Sequence, residues 1–78
     1  MGYVYLLKSG KYYKIGKTNK PDQRLYEIGL QLPEKIHPIH SIETDDPSGI
    51  EAYWYNRFRK NQLEGEWFNL NANEIKIF

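Results

Sequence analysis

Seventy-eight residues without a cysteine leave room for one domain and exclude disulfide staples and thiolate metal sites. The formal charge of +1 hides an asymmetry: residues 1–24 carry a balance of +5 and the rest of the chain −4. A basic segment suits a polyanion partner; equally, lysines solubilise an exposed hairpin and blunt its edge.

A chain of this length buries about 60–65% of the surface that its unfolded form exposes. The core is therefore small, and no separate domain for an organic cofactor fits. No apolar run approaches the ~20 residues of a membrane span, and no charged-then-apolar leader opens the chain. A soluble intracellular protein without a membrane partner is expected. Seven tyrosines, two tryptophans and three phenylalanines must supply much of the core, so not every tyrosine can be functional.

Residues 2–8 and 11–17 read as a β-hairpin around a two-residue Ser9-Gly10 turn. That turn pairs Leu7 with Tyr12, Tyr5 with Lys14 and Tyr3 with Gly16. Strand alternation puts Tyr3, Tyr5, Leu7, Tyr12 and Lys14 on one face, and Val4, Leu6, Tyr13 and Ile15 on the other. Tyr5 and Lys14 become cross-strand neighbours, roughly 5 Å apart at Cβ. A lysine beside a phenol favours the phenolate, which prepares a weak base.

Asn19-Lys20-Pro21-Asp22 predicts a helix start: Asn19 caps, proline fits the first turn and Asp22 suits the positive end of the dipole. Leu25, Ile28 and Leu32 give this helix a buried stripe, and Pro33 stops it. Arg24 lies at the margin of that stripe, where its head reaches back toward the hairpin. There it can clamp a phosphate bidentately, or pair with Glu27 three residues on as a surface cation.

Residues 36–43 predict a third strand, in which Pro38 marks an edge position or a bulge. His37 and His40, three apart in a regular strand, point to opposite faces and do not share a metal. Asp45-Asp46-Pro47-Ser48-Gly49 leads into a second helix, about 47–61, with Ile50, Trp54 and Phe58 as its core stripe. Glu51, Tyr55 and Arg59 form the adjoining row. Glu51 has two readings. A carboxylate at the rim of a core stripe can hold a hard cation such as Mg²⁺. Ser48-Gly49-Ile50-Glu51 also matches a capping box, in which the glutamate bonds back to the serine's N–H. Glu64-Gly65 ends the helical pattern, residues 66–70 form a short aromatic strand or extended segment, and Asn71 caps a last helical turn. The whole is one α/β domain over residues 1–78: a small, mostly antiparallel three-stranded sheet flanked by helices. No glycine-rich phosphate cradle, nucleophile elbow or zinc-ligand spacing is present.

Taken together, these residues resemble the GIY-YIG endonuclease superfamily, close to its small single-domain branch in phages and microbes. Tyr3-Val4-Tyr5 stands where the family has Gly-Ile-Tyr. Lys14-Ile15-Gly16 stands where it has Tyr-Ile-Gly, followed by Lys17 and Thr18. Arg24, eight residues after Gly16, falls at the catalytic arginine, Glu51 at the single metal-binding glutamate, and Gly65-Glu66-Trp67-Phe68 at a closing Gly-Glu-Trp-Phe. The chain departs from the pattern at Tyr3, at Lys14 and at Tyr55, where the branch usually has a histidine.

The resemblance implies a DNA endonuclease that hydrolyses a phosphodiester to a 5′-phosphate and a 3′-hydroxyl. Glu51 would hold one divalent ion, Mg²⁺ or Mn²⁺. Tyr5 would accept a proton from the attacking water, helped by Lys14 or Lys17. Arg24 would stabilise the pentavalent phosphate, and Tyr55 would position water or a phosphate oxygen. Two other readings share the sequence: a degenerate binding module of the same fold that holds nucleic acid or a protein partner without cutting, and an interaction domain presenting Trp54, Trp67 and Phe68. No recognition helix or zinc finger points to a DNA sequence preference.

Overall fold

The computed structural model describes residues 1–32 and 35–78. Two long strands, β1 (Gly2–Ser9) and β2 (Tyr12–Thr18), form the hairpin, and α1 (Pro21–Gln31) follows. Then come β3 (Ile36–Thr44), α2 (Pro47–Arg57), a 3₁₀ turn at Arg59–Asn61, the two-residue β4 (Trp67–Phe68) and α3 (Ala72–Ile77). The strands form one antiparallel sheet in the order β3-β1-β2-β4. The α/β class is as the sequence implies. The aromatic segment after Gly65 enters the sheet as a short fourth strand.

The hairpin keeps its expected faces but not its expected register. Ser9 pairs with Tyr12, so the turn is Gly10-Lys11 rather than Ser9-Gly10. Gly10 has φ +62°, and no other residue type in the described chain has a positive φ. One glycine at the first turn position is what a type II′ hairpin needs. The change moves the pairing by two residues, which leaves every side chain on its own face. It does change the neighbours: Tyr5 lies opposite Gly16, and Lys14 opposite Leu7.

The sheet is the middle layer between two apolar clusters. Val4, Leu6, Tyr13 and Ile15 meet Trp54 of α2 and Phe58 at its C-cap, with Phe68 and Leu70. Tyr5 and Leu7 meet Ile28 of α1, with Leu25, Leu32, Ile36 and Trp67 packed around them. The predicted stripes of both helices thus face the core. Each fully buried aliphatic or aromatic side chain contributes about 1.5–3 kcal/mol. Pro33, expected to stop α1, lies outside the described residues; Leu32 is already extended at ψ 140°.

The helix ends correct three local expectations. Lys20, not Asn19, occupies the N-cap of α1, and no side chain caps that end. The first turn is held instead by Pro21 and by Thr18, whose hydroxyl accepts from the Lys20 N–H at 3.1 Å. The cap of α2 is Asp46, whose carboxylate accepts from the Gly49 N–H at 3.1 Å, an interaction worth about 1 kcal/mol. The Ser48–Glu51 capping box does not form, because the helix starts at Pro47, two residues before the Gly49 start that a Ser48 cap requires. The α-helix also ends at Arg57, short of residue 61, where the chain tightens into the 3₁₀ turn. Asn71 and Glu74 do form a capping box at α3.

Strand β3 is a sheet edge and carries a bulge. Leu6 pairs with His40 while Leu7 pairs with Pro38, so Ile39 is the extra residue. That insertion corrects the expectation for the histidines. His37 pairs with Lys8 and His40 with Leu6, and cross-strand partners share a face. Both imidazoles therefore lie on one face. Among the described residues, no group of three or more His, Cys, Asp or Glu side chains could hold a metal.

Candidate active site at an open sheet edge

Strand β4 covers only Tyr13 and Lys14 of β2. Past Lys14 the outer rim of β2 lacks a strand partner among the described residues. The Ile15 N–H is taken by the Glu66 carbonyl at 3.2 Å, and the Ile15 carbonyl accepts from the Tyr55 hydroxyl at 2.8 Å. At this short open rim, side chains from the two opposite faces of the sheet can meet.

From the α1 side comes Tyr5. Its ring lies across Gly16: a Cβ added there would sit 2.5 Å from Tyr5 Cζ, with the hydroxyl oxygen nearer still. Only glycine leaves room for the ring and its hydroxyl at this point of β2. Arg24, on α1, is the cation that acts most strongly on that hydroxyl. Its guanidinium is also loosely paired with Glu27 at 3.8 Å. Of the two sequence-based alternatives for Arg24, the pairing with Glu27 along the helix is present, loosely, while its charge also acts on Tyr5.

Burial is the largest influence on Tyr5, which is 1% exposed. It pushes the phenol above its ordinary value. Arg24 pulls the other way, and the carboxylates of Glu66 and Glu51 push it further up. This corrects the expected arrangement. Lys14 is not the neighbour that favours the phenolate; Arg24 is, and burial outweighs it.

Lys14 turns toward the end of the sheet. Its ammonium lies 3.0 Å from Glu66 Oε2 and 5.5 Å from the centre of the Trp67 ring. From the α2 side come Lys17, Glu51 and Tyr55. Lys17 donates to the Ser48 hydroxyl at 3.0 Å and lies 3.8 Å from Glu51 Oε1. The Glu51 side chain is 20% exposed. Burial raises its pKa, Lys17 and Lys14 lower it, and Glu66 adds a like charge that raises it. With Asp46 serving as the cap, the Glu51 carboxylate is not consumed by the helix end.

Tyr55 packs edge-on against Phe68. Burial, then Glu66 and Glu51, push its hydroxyl far above the ordinary tyrosine value, so it stays a neutral donor. Its proton is committed to the Ile15 carbonyl. The oxygen keeps its lone pairs, so the side chain can accept from a water but has no proton left for a phosphate oxygen.

Solvent reaches Glu51 and Tyr55 from one flank and Arg24 from the other, while Tyr5 itself is buried. Open clefts are lined by Glu51, Tyr55, Asn56 and Arg59 on one flank, and by Thr18, Lys20, Gln23, Arg24 and Glu27 on the other. Of the six residues singled out in the sequence, Arg24 lines one cleft and Glu51 and Tyr55 the other, Lys17 reaches Glu51, and Lys14 and the buried Tyr5 line neither of these two clefts. Glu66 was not among the six, although it bonds Lys14 and acts electrostatically on Tyr5, Arg24, Glu51 and Tyr55. Its signal in the sequence was its place in Gly65-Glu66-Trp67-Phe68.

The T5orf172 domain family matches residues 2–78. Neither curated proteins nor solved structures give a match.

Proposed function

The chain belongs to the T5orf172 domain family, and from that premise we propose that it is a divalent-metal-dependent DNA endonuclease of the GIY-YIG kind. Family membership supports a nuclease-like, DNA-interacting role. The observation that carries the finer reading is that Tyr5 and Arg24 on one face of the sheet lie close enough to Glu51 and Tyr55 on the other for their charges to act on one another, with solvent reaching Arg24 on one flank and Glu51 and Tyr55 on the other.

Glu51 suits a Mg²⁺ or Mn²⁺ ion. Such an ion needs one or two carboxylates and takes its other ligands from water and substrate phosphate. Glu51 offers a partly exposed carboxylate without a capping duty, and a cage of three or more acidic or imidazole ligands does not form among the described residues. When bound there, the ion supplies positive charge to the phosphate and to the departing 3′ oxygen.

The chain's own residues do the rest. In its phenolate form Tyr5 accepts a proton from the attacking water, and the water oxygen bonds to phosphorus as the bond to the 3′ oxygen breaks. That oxygen takes a proton from solvent. Arg24 donates to the non-bridging oxygens, where negative charge accumulates. Lys14 and Lys17 add positive charge at the rim, and Tyr55 holds a water through its acceptor oxygen. The membrane plays no part in this reading, and no helix among the described residues is long and apolar enough to cross one.

The bond that breaks fixes the products. An end-labelled duplex incubated with the protein and Mg²⁺ is expected to yield 5′-phosphate and 3′-hydroxyl ends, which DNA ligase reseals. Ends that resist ligase until a phosphatase and kinase have exchanged the phosphate would overturn the assignment of the leaving group. Tight binding with no cut strand would favour the degenerate binding module.

A further inference from the structure

We propose that Glu66 is a positioning residue: its carboxylate and the Trp67 ring hold the Lys14 ammonium at the open rim of β2, as a donor aimed at a substrate phosphate oxygen. The target of that donor rests on the nuclease reading; the hold itself rests on geometry. Lys14 Nζ lies 3.0 Å from Glu66 Oε2, and the Lys14 side chain is only 12% exposed while Glu66 is 41% exposed. A lysine free on a sheet surface points its head to water. This one is folded down between a carboxylate and an aromatic face at 5.5 Å.

The holder is itself fixed. The Glu66 carbonyl accepts from the Ile15 N–H at 3.2 Å, Trp67 pairs directly with Lys14 in the ladder, and the Trp67 ring packs into the α1-side cluster. Glu66 is therefore anchored to the same strand that carries Lys14, at the position where β4 stops and the rim opens. An ammonium has three donors, and the carboxylate occupies one in the recorded geometry. The others remain for a phosphate that enters along the rim. The same carboxylate acts on Tyr5, Arg24, Glu51 and Tyr55, which places it centrally among the groups of the site.

Two readouts test this, using Glu66→Gln, Lys14→Met and the double variant in the full chain. The first needs no substrate. In the wild type, NMR should show the Lys14 ε-methylene protons displaced by the Trp67 ring current, and Glu66→Gln should return them toward free-lysine positions. Undisplaced protons in the wild type, or displacement unchanged in Glu66→Gln, would overturn the hold.

The second is a kinetic cycle on duplex DNA with Mg²⁺. Each single variant should lower kcat about tenfold with KM within about twofold, and the double variant should be no worse than either single one. Independent losses that multiply to about a hundredfold, or wild-type kcat in Glu66→Gln, would overturn the role. Should the wild type cut nothing, the nuclease reading and the aim at phosphate fail, while the NMR arm still decides whether Glu66 holds Lys14.

Discussion

Replacing Glu51 by alanine is expected to lower DNA cleavage by about 10³-fold or more while duplex binding in EDTA stays within about threefold of wild type. The reason is the division of labour at the rim. Cations that meet phosphate come from other residues, so affinity survives. The carboxylate assigned to the divalent ion is lost, and with it the charge supplied to the leaving oxygen. Glu51 also makes a prediction about stability, whose sign follows from its environment. Its folded pKa is raised, chiefly by burial. The folded state then binds more protons than the unfolded one in the pH range between the two values, so stability falls as pH rises through that range. At neutral pH the ionised Glu51 is a burden on the fold. Glu51→Gln should therefore unfold in urea at the same or a slightly higher concentration than wild type, although it is inactive. Cleavage by Glu51→Ala comparable to wild type would remove the metal from this site.

The second large effect belongs to Tyr5. Tyr5→Phe keeps the ring that lies over Gly16 and removes only the hydroxyl on which Arg24 acts. Stability should change by no more than about 1 kcal/mol, the scale of one hydrogen-bonding group. The cleavage rate should fall about 10²–10⁴-fold, the range for losing a positioned general base. The pH dependence carries the sign. Because the Tyr5 hydroxyl is held above its ordinary value, only a small fraction is phenolate near neutrality. That fraction grows about tenfold per pH unit. The wild-type rate should therefore climb through neutral and mildly alkaline pH, and the residual rate of Tyr5→Phe should lose that slope. A phenylalanine variant with the wild-type rate and the same slope would place the base elsewhere.

The faces of the hairpin were legible in the sequence because strand alternation survives a shift of two residues. Its neighbours were not, because Gly10 fits either position of the turn by residue type alone and only its φ of +62° decides. The consequence is chemical: Tyr5 sits over Gly16 under the charge of Arg24, and Lys14 goes to Glu66. The role of Glu51 as cap or free carboxylate turned on one residue, since Asp46 and Ser48 both precede glycine and apolar positions suited to a helix start. Pro47 settles it, being accepted at the first helical position and leaving Asp46 as cap. The histidines were misplaced by the Ile39 bulge, which no alternation pattern encodes. Glu66 was overlooked because its importance comes from a contact 52 residues away in the chain. Its own neighbourhood reads as a turn into a short strand. Local signals thus located the elements and their core stripes, whereas the coupling of two sheet faces at a rim depends on β4 being only two residues long.

The central claim is that this rim hydrolyses DNA with a divalent cation held by Glu51. Nicking of supercoiled plasmid tests it most directly, with wild type and Glu51→Ala side by side in Mg²⁺ and in EDTA. The account predicts open-circular product only from the wild type with Mg²⁺. Equal nicking in EDTA, or by the alanine variant, would contradict it, as would an intact plasmid under all four conditions.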